Sequence, residues 1–217
     1  FVAFQGEKTD GHDFVADAFG RGAIAALVQQ PVGGEWPMLD IRPGYAEVPD
    51  SLPVCIVVDD TLRALQQVAR HWRGRFPTRI IGITGSVGKT STKELTAAVL
   101  SSRYKTLKSE GNQNNEIGVP LTLLNLRHYH ERAVIEMGMY TRGEIDRLCD
   151  LARPEVGVVT MIGPVHLERL GSMEAIVAAK QELVAALPED GVAVLNMDDA
   201  RVMSMAPHTR ARVFTYG

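Results

Sequence analysis

The stretch Gly82-Ile83-Thr84-Gly85-Ser86-Val87-Gly88-Lys89-Thr90-Ser91 decides the fold of the second half of the chain. An apolar run leads into a glycine-containing turn, and a helical pattern starts at Lys89. Glycine lets such a turn wrap closely, so that backbone N–H groups point inward at a phosphate. The N-terminus of the following helix adds a partial positive charge. The stretch therefore predicts a strand, a phosphate-binding loop and a helix, in that order.

Each residue of this loop has an expected role in nucleotide binding. Lys89 can reach the β- and γ-phosphates of ATP, and the Thr90 hydroxyl can bind Mg²⁺. The expected nucleotide-binding residues are Gly85, Ser86, Val87, Gly88, Lys89, Thr90 and Ser91. The strict phosphate-loop motif has glycine at position 83, whereas this chain has its glycine at position 82. A purely structural turn is the alternative. An unrelated P-loop kinase also fits the loop by itself, but a GTPase would carry an Asn-Lys-x-Asp motif, which is absent.

The rest of the chain alternates short apolar runs with helical stretches, which predicts βαβ units and a mostly parallel sheet. In the first part, strands are expected at residues 1–4, 23–28 and 54–58, and helices near residues 12–19 and at 61–73. The segment 31–53 holds five of the eleven prolines, so it is expected to be an irregular, exposed loop. In the second part, strands are expected at residues 79–84, 133–137, 156–161, 192–196 and 212–215, and helices at 89–102, 143–152 and 172–187.

The segment 73–77, Arg-Gly-Arg-Phe-Pro, is typical of a helix end and predicts the domain boundary. The expected fold is thus two α/β domains. A small N-terminal domain would cover residues 1–77, and a P-loop ATPase domain would cover residues 78–217.

Charge and composition exclude several classes of function. The net charge of −3 provides no basic field for nucleic acid or an anionic membrane. The apolar runs are far too short to span a bilayer. Cys55 and Cys149 match no metal or redox spacing, so they are expected to be buried thiols in a reducing cytosol. The chain starts at Phe1 and not at Met, so its native start is expected to lie further upstream.

Three further positions can carry chemistry. Glu136 ends a buried apolar strand, where ligands collect in open α/β sheets and where a carboxylate suits Mg²⁺; a surface glutamate is the alternative. His166 follows the turn Gly163-Pro164, a position where a lone histidine is usually a surface residue. Asn114 and Asn115 can hydrogen-bond a sugar or a pyrophosphate, but asparagine pairs are also common in turns.

Lys180 lies within the apolar stripe of a predicted helix, four residues after Ile176 and four before Val184. Desolvation there would lower the pKa of the amine and increase its neutral fraction. A neutral amine can react with CO₂ to form a carbamate. The alternative is a lysine that extends along the helix edge to reach solvent.

Taken in order, these motifs resemble the Mur ligases, and most closely the member of that family that adds D-alanyl-D-alanine. Residues 112–120, Asn-Gln-Asn-Asn-Glu-Ile-Gly-Val-Pro, resemble its asparagine-rich loop. Residues 133–138 and 165–172 are similar to its glutamate strand and its histidine segment, and Lys180 matches its modified lysine. Residues 1–4, Gly6 and residues 10–14 look like the part that holds the UDP-sugar precursor. The chain departs from the family at residues 139–142, where Met-Tyr-Thr-Arg replaces the usual Asn-His or Ser-His pair.

The resemblance implies a bacterial, cytoplasmic ligase of peptidoglycan synthesis. ATP would phosphorylate the carboxylate of UDP-MurNAc-tripeptide, and the amine of D-alanyl-D-alanine would attack the acyl phosphate. The implied catalytic residues are Lys89, Glu136, His166 and Lys180. The implied metal ligands are Thr90, Glu136, His166 and carbamylated Lys180, and the implied substrate-binding residues are Asn114 and Asn115.

The same resemblance implies a full-length protein that is monomeric, without nucleic acid partners or membrane insertion. It also implies that the family's C-terminal domain lies outside this chain, so that the chain alone is expected to be inactive. A sister ligase that adds the third stem-peptide residue is an alternative, against which residues 114–120 argue. A non-catalytic nucleotide-binding fragment is another, and the joint presence of Lys89, Glu136, His166 and Lys180 argues against it.

Overall fold

The structure, a computed structural model, describes residues 1–44, 47–165 and 167–217. One candidate site residue, His166, therefore lies outside the described residues. The chain forms two compact units, Phe1–Val68 and Ala69–Gly217.

The first unit is built on a parallel sheet whose described strands have the order β1-β3-β2. Its elements are a 3₁₀ turn (Gly11–Phe14), α1 (Val15–Gly20), β1 (Ala25–Val28), β2 (Met38–Asp40), β3 (Val54–Val57) and the start of α2 (Thr61–Arg73). The predicted strand at residues 1–4 contributes one isolated bridge, between Val2 and Leu27. β2 was not predicted, because its residues lie in the proline-rich segment and become a strand only through pairing with β3.

The second unit is built on a larger parallel sheet with the order β5-β6-β4-β7-β8-β9 among the described strands. The strands are β4 (Arg79–Thr84), β5 (Thr106–Lys108), β6 (Arg132–Glu136), β7 (Val156–Val159), β8 (Val192–Asn196) and β9 (Arg212–Tyr216). β4 occupies a central position between β6 and β7. Buried parallel strands are typically continuous apolar runs, which is why their positions could be predicted. The predicted α/β class with mostly parallel sheets is confirmed.

Helices pack on both faces of this sheet. They are α3 (Lys89–Ser101), α4 (Gly118–Leu124), α5 (Glu144–Ala152), α6 (Leu167–Leu170), α7 (Met173–Ala185) and α8 (Ala200–Met203). The larger core includes residues of α5 and α7, and a smaller core joins Ile81 and Ile83 of β4 to Ala97 of α3. A Cβ atom at Gly82 would lie 2.9 Å from Leu183 Cδ1 of α7. The glycine at position 82 therefore serves the packing of α7 on β4.

The division between the units falls inside α2, before the segment 73–77 that the sequence indicated. Ala69 is fully buried in the core of the second unit. Trp72 Nε1 donates to the Leu126 carbonyl at 3.2 Å, and Arg73 Nε donates to the Ala152 carbonyl at 2.8 Å. The last turn of α2 thus packs with the second unit, although the helix itself is continuous. Helix-end signals cannot reveal such a division, since they report only where the helix stops.

Candidate active site

The phosphate loop lies at the carboxyl edge of the large sheet, between Thr84 at the end of β4 and Lys89 at the start of α3. Gly85 and Gly88 have φ angles of 147° and 88°, which favour glycine. A Cβ atom at Gly85 would also lie 1.9 Å from Thr160 Oγ1. Among the residues that the structure describes, no side chain caps the N-terminus of α3. The predicted strand, glycine turn and helix are confirmed as structural elements.

The segment after β7 holds the phosphate loop in place. Thr160 Oγ1 donates to the Val87 carbonyl at 2.6 Å. The backbone N–H of Ser86 donates to the Met161 carbonyl at 2.7 Å, and Ser86 Oγ donates to the Gly163 carbonyl at 3.0 Å. The sequence did not single out Thr160, because nothing local relates it to a loop more than seventy residues earlier.

Lys89 folds back on the loop that precedes it. Its Nζ donates to the Gly85 carbonyl at 2.9 Å and lies 3.4 Å from the Ser86 carbonyl oxygen. Burial lowers the pKa of this amine, and the negative charge of Glu136 acts in the opposite direction. These two contacts hold the ammonium group at the loop and leave its third N–H donor for another acceptor.

Glu136 is the centre of a buried hydrogen-bond cluster. The parallel pairing of Ile83 with Glu136 places this carboxylate beside the phosphate loop. Glu136 is 1% exposed. Its Oε2 accepts from Thr90 Oγ1 at 3.0 Å, and its Oε1 accepts from Asn114 Nδ2 at 2.8 Å. The structure thus brings the proposed metal ligands Thr90 and Glu136 together with Asn114, which the sequence analysis had proposed as a substrate-binding residue.

Lys93 belongs to the same cluster, and the sequence analysis missed it. Its side chain is 0% exposed, and Nζ donates to the Gly111 carbonyl at 2.8 Å. Nζ also lies 3.2 Å from Glu94 Oε1 and 3.8 Å from Glu136 Oε2. The position one helical turn after Lys89 was the available signal, but an isolated lysine on a helix is normally read as a solvent-facing residue.

Lys180 is the second buried lysine near the loop. It is 2% exposed, on α7. Burial, with a smaller contribution from the positive charge of Lys89, lowers the pKa of this amine to about 8. The structure gives it no hydrogen bond or ion pair with any described residue. The predicted burial and lowered pKa of Lys180 are confirmed.

One open cleft, of about 450 Å³, joins several candidate residues. Lys89, Asn114, Asn115, Tyr140 and Lys180 are among the residues that line it. Asn115 also has a structural role, because its Oδ1 accepts from the backbone N–H groups of Ile117 and Gly118 at the start of α4. The sequence analysis left open whether this asparagine stabilises a turn. It does so, and it also lines the cleft.

The oxygen donors beside the phosphate loop are compatible with Mg²⁺. Within residues 1–44, 47–165 and 167–217, no group of three or more His, Cys, Asp or Glu side chains is arranged to hold a metal. The Thr90 hydroxyl and the Glu136 carboxylate provide adjacent oxygen donors. Mg²⁺ commonly uses one or two protein oxygens and completes its shell with water and substrate phosphates. These residues fit that pattern.

In the first unit, the segment that resembles the precursor-binding part forms a tight turn. His12 Nδ1 lies 2.5 Å from Asp10 Oδ1, and His12 Nε2 accepts from the Gln29 backbone N–H at 2.9 Å. Hydrogen bonds from the His12 backbone and ring lower the pKa of Asp10. A Cβ atom at Gly11 would lie 2.6 Å from the Phe4 nitrogen, so this position requires glycine.

Comparison with known proteins identifies the family. The family model of the Mur ligase middle domain matches residues 83–217 of this chain. The chain belongs to the Mur ligases. It is 44% identical over 218 residues to UDP-N-acetylmuramoyl-tripeptide–D-alanyl-D-alanine ligase of Synechocystis sp., covering 100% of this chain and 45% of that enzyme. The enzyme of the same name from Bacillus subtilis is 44% identical over 199 residues, covering 92% of this chain and 40% of its own length.

Solved structures of Mur ligases agree with this assignment. MurF from Acinetobacter baumannii superposes with a TM-score of 0.85 at 33% identity, covering 100% of this chain and 45% of that one. MurF from Thermotoga maritima, determined in complex with ADP, superposes with a TM-score of 0.82 at 32% identity, covering 100% and 47%. The chain thus spans less than half the length of these relatives. Among the described residues, no helix has both the length and the apolar character needed to cross a membrane.

Proposed function

We propose that this Mur ligase chain contributes the ATP site of a cytoplasmic enzyme that joins D-alanyl-D-alanine to UDP-MurNAc-tripeptide during peptidoglycan synthesis. The observation that carries the proposal is the convergence of Lys89, Thr90, Glu136 and Lys180 at one edge of the large sheet. Two relatives at 44% identity bear the name of this ligase, which favours it over a sister enzyme. The full-length protein is proposed to act as a monomer on small-molecule substrates.

The phosphate loop is proposed to bind the triphosphate of ATP. Backbone N–H groups of Val87 and Gly88 and the N-terminus of α3, which no described side chain caps, favour negative charge there. Lys89 would direct its third N–H donor at the β- and γ-phosphates. The relative from Thermotoga maritima was determined in complex with ADP, which supports nucleotide binding by this chain.

Thr90 and Glu136 are proposed to hold Mg²⁺, with His166 and carbamylated Lys180 contributing a second set of ligands. When bound, Mg²⁺ would neutralise charge that develops during phosphoryl transfer. For the carbamate, the neutral Lys180 amine would form an N–C bond with CO₂ and release one proton. A pKa of about 8 keeps part of this amine neutral at cytoplasmic pH, which supports the reaction.

The remaining chemistry is proposed to proceed in two displacements. A carboxylate oxygen of the tripeptide attacks the γ-phosphorus, and the bond to the ADP oxygen breaks. The amine of D-alanyl-D-alanine then attacks the acyl carbon, phosphate leaves with the bonding electron pair, and the nitrogen loses a proton. Lys89 would hold the phosphoryl group, and Asn114 and Asn115 would position the precursor. The first unit, Phe1–Val68, is proposed to hold the UDP end of the precursor.

Replacing Lys89 tests the nucleotide site. In the full-length protein, Lys89→Ala should abolish measurable binding of MgATP in a calorimetric titration, because it removes the cation beside the β- and γ-phosphates. Lys105→Ala, which changes an exposed lysine outside the cleft, is the matched control. Equal affinity in both variants would contradict the phosphate-loop assignment.

A product assay tests the choice of reaction. The full-length protein is incubated with ATP, Mg²⁺, UDP-MurNAc-tripeptide and D-alanyl-D-alanine, and mass spectrometry should detect the pentapeptide product. A parallel reaction contains UDP-MurNAc-dipeptide and candidate third residues. Product in that reaction alone would show that the protein is the sister ligase.

A further inference from the structure

The side chain of Thr84, the last residue of β4, is buried without a hydrogen-bond partner. Thr84 is 0% exposed, and its backbone carbonyl accepts from the Thr160 backbone N–H at 3.0 Å. Its Oγ1, however, makes no hydrogen bond with any residue in the ranges 1–44, 47–165 and 167–217. No other buried side-chain nitrogen or oxygen atom in these ranges lacks a partner. Because an unpaired buried hydroxyl group destabilises the folded protein, its place beside the phosphate loop needs an explanation.

The Thr84 side chain lies on the face of the large sheet against which α7 packs. Successive side chains of a strand point to opposite faces. Ile81 and Ile83 belong to the smaller core, which includes α3. Gly82 and Thr84 therefore belong to the opposite face. A Cβ atom at Gly82 would lie 2.9 Å from Leu183 Cδ1 of α7, which identifies that face. Thr84 thus follows the contact between α7 and β4 by two residues, toward the carboxyl edge of the sheet.

Lys180 approaches the same region from α7. This helix leads into β8, which starts at the amino edge of the sheet, so the earlier turns of α7 lie nearer the carboxyl edge. Lys180 precedes Leu183 by three residues on the buried face of α7, an advance of about 4.5 Å. The two residues from Gly82 to Thr84 advance by about 6.6 Å in the same direction. Since Cα–Cβ bonds tilt toward the helix N-terminus, the Lys180 side chain extends further toward the level of Thr84.

Carbamylation of Lys180 supplies the acceptor that Thr84 lacks. In the proposed function, Nζ of Lys180 forms a bond with the carbon of CO₂ and loses one proton, so two carbamate oxygens share a negative charge. We propose that the Thr84 hydroxyl group donates a hydrogen bond to one of these oxygens, which makes Thr84 a positioning residue for the modified lysine. The inference rests on the proposed function and deepens it.

Such a hydrogen bond has two consequences. A bond to a charged acceptor is stronger than a bond between neutral groups, so it favours the carbamate over the free amine. It also fixes the plane of the carbamate, because one oxygen is held at the buried hydroxyl group and the other stays free to bind a metal ion in the cleft. The hydroxyl group is unpaired only until CO₂ reacts, so CO₂ should stabilise the folded protein more when Thr84 is present.

The test measures how much CO₂ the full-length protein needs to form the carbamate. Thr84→Val removes the hydroxyl group and nearly keeps the shape of the side chain, whereas Thr84→Ser keeps the hydroxyl group. Thr78→Val is the control, since Thr78 is also buried but lies directly before β4 and donates to the His130 carbonyl at 2.7 Å. Each protein is equilibrated with isotopically labelled CO₂ at increasing concentrations, and the carbamate carbon is quantified by NMR.

We expect half occupancy of Thr84→Val to need about tenfold more CO₂ than the wild-type protein, since one hydrogen bond to a charged group is lost. Thr84→Ser and Thr78→Val should stay close to the wild-type value. With saturating substrates, kcat of Thr84→Val should be low at limiting CO₂ and recover as CO₂ is raised. In CO₂-free buffer, Thr84→Val should unfold at the same urea concentration as the wild-type protein or a higher one, because it lacks the unpaired hydroxyl group.

The outcomes separate this inference from the function on which it rests. Equal CO₂ dependence of the wild-type protein and Thr84→Val overturns the role of Thr84 and leaves the carbamate intact. An equal loss in Thr84→Ser also overturns it, because the shape of the side chain would then be responsible. A raised KM for MgATP with unchanged CO₂ dependence overturns it in favour of a nucleotide contact. Earlier unfolding of Thr84→Val in CO₂-free buffer overturns it too, since the hydroxyl group then has another partner. Absence of a carbamate signal in the wild-type protein overturns the proposed role of Lys180, and this inference with it.

Discussion

Lys93 on α3 and Lys180 on α7 are both almost completely buried, but their surroundings differ. Lys93 has the Gly111 carbonyl at 2.8 Å, Glu94 Oε1 at 3.2 Å and Glu136 Oε2 at 3.8 Å. Lys180 has no such partner among the described residues, and Lys89 adds a like charge near it. Burial by itself therefore does not decide the chemistry of a lysine. Desolvation destabilises the charged ammonium group, but nearby carbonyl and carboxylate oxygens can stabilise it again.

The different surroundings of Lys93 and Lys180 indicate different roles for the two lysines. Lys93 joins α3, the loop at Gly111 and the carboxylate of Glu136, so it stabilises the site. Lys180 keeps a lowered pKa of about 8 and borders the cleft, so its amine is available for reaction. The two lysines should consequently respond in opposite ways to substitution.

The largest effect is expected on activity. Lys180→Ala in the full-length protein should lower kcat by about a hundredfold or more, because in the proposed function it removes a metal ligand, and loss of a ligand should cost at least as much as loss of the residues that support it. A short carboxylic acid in the buffer should restore part of the activity by replacing the carbamate oxygens. Lys93→Ala is the control, and the acid should not rescue it. Full activity of Lys180→Ala, or equal rescue of both variants, would contradict the carbamate role.

A large loss of stability is expected for Lys93→Met. The substitution leaves the buried Glu136 carboxylate without its cation, and the breaking of a buried pair costs about 3 kcal/mol. The measurement is the shift of the urea unfolding midpoint at pH 7. The double variant with Glu136→Gln should recover part of the loss, since no unpaired charge then remains. Strictly additive losses would show that Lys93 and Glu136 do not interact.

A smaller change of opposite sign is expected for Lys180→Met. At pH 7 in CO₂-free buffer, the variant should unfold at a higher urea concentration, with a gain of about 1–2 kcal/mol, because it removes a buried charge.

The pH dependence of this gain checks its cause. The pKa of Lys180 is about 8 in the folded protein, against an ordinary value of 10.5. The cost of the buried charge is therefore fully present below pH 8 and disappears as pH rises to about 10.5. The gain should shrink over this interval, and a gain independent of pH would point to improved packing as its cause.

The smallest effect is expected for Glu94→Gln. Glu94 pairs with Lys93 and Lys108, and both pairings lower the pKa of its carboxyl group. Its side chain is 45% exposed, however, so water screens these pairings. The unfolding midpoint should move much less than in Lys93→Met. A comparable shift would mean that Lys93 depends on its exposed partner and not on Glu136.

Much of the fold could be predicted because it follows from local patterns. The bounds of β4, α2 and β8 were predicted correctly, since apolar runs and helical periods are continuous there. β5 and α4 were missed. β5 has only three residues and depends on pairing with β6. α4 begins with glycine and contains a proline, so the sequence carries no helical pattern for it.

For the site, the sequence by itself determined the strand, the glycine turn and the position of Lys89, because these depend on neighbouring residues. It also determined the burial of Lys180, which follows from the apolar stripe of α7. The roles of these residues stay predictions. Only the tertiary structure decided which charged and polar side chains lie close together at the phosphate loop. The pairing of β4 with β6 brings Glu136 to the loop, and the segment after β7 supplies Thr160. Partners for a buried charge come from distant segments, and periodicity along one helix contains no information about them.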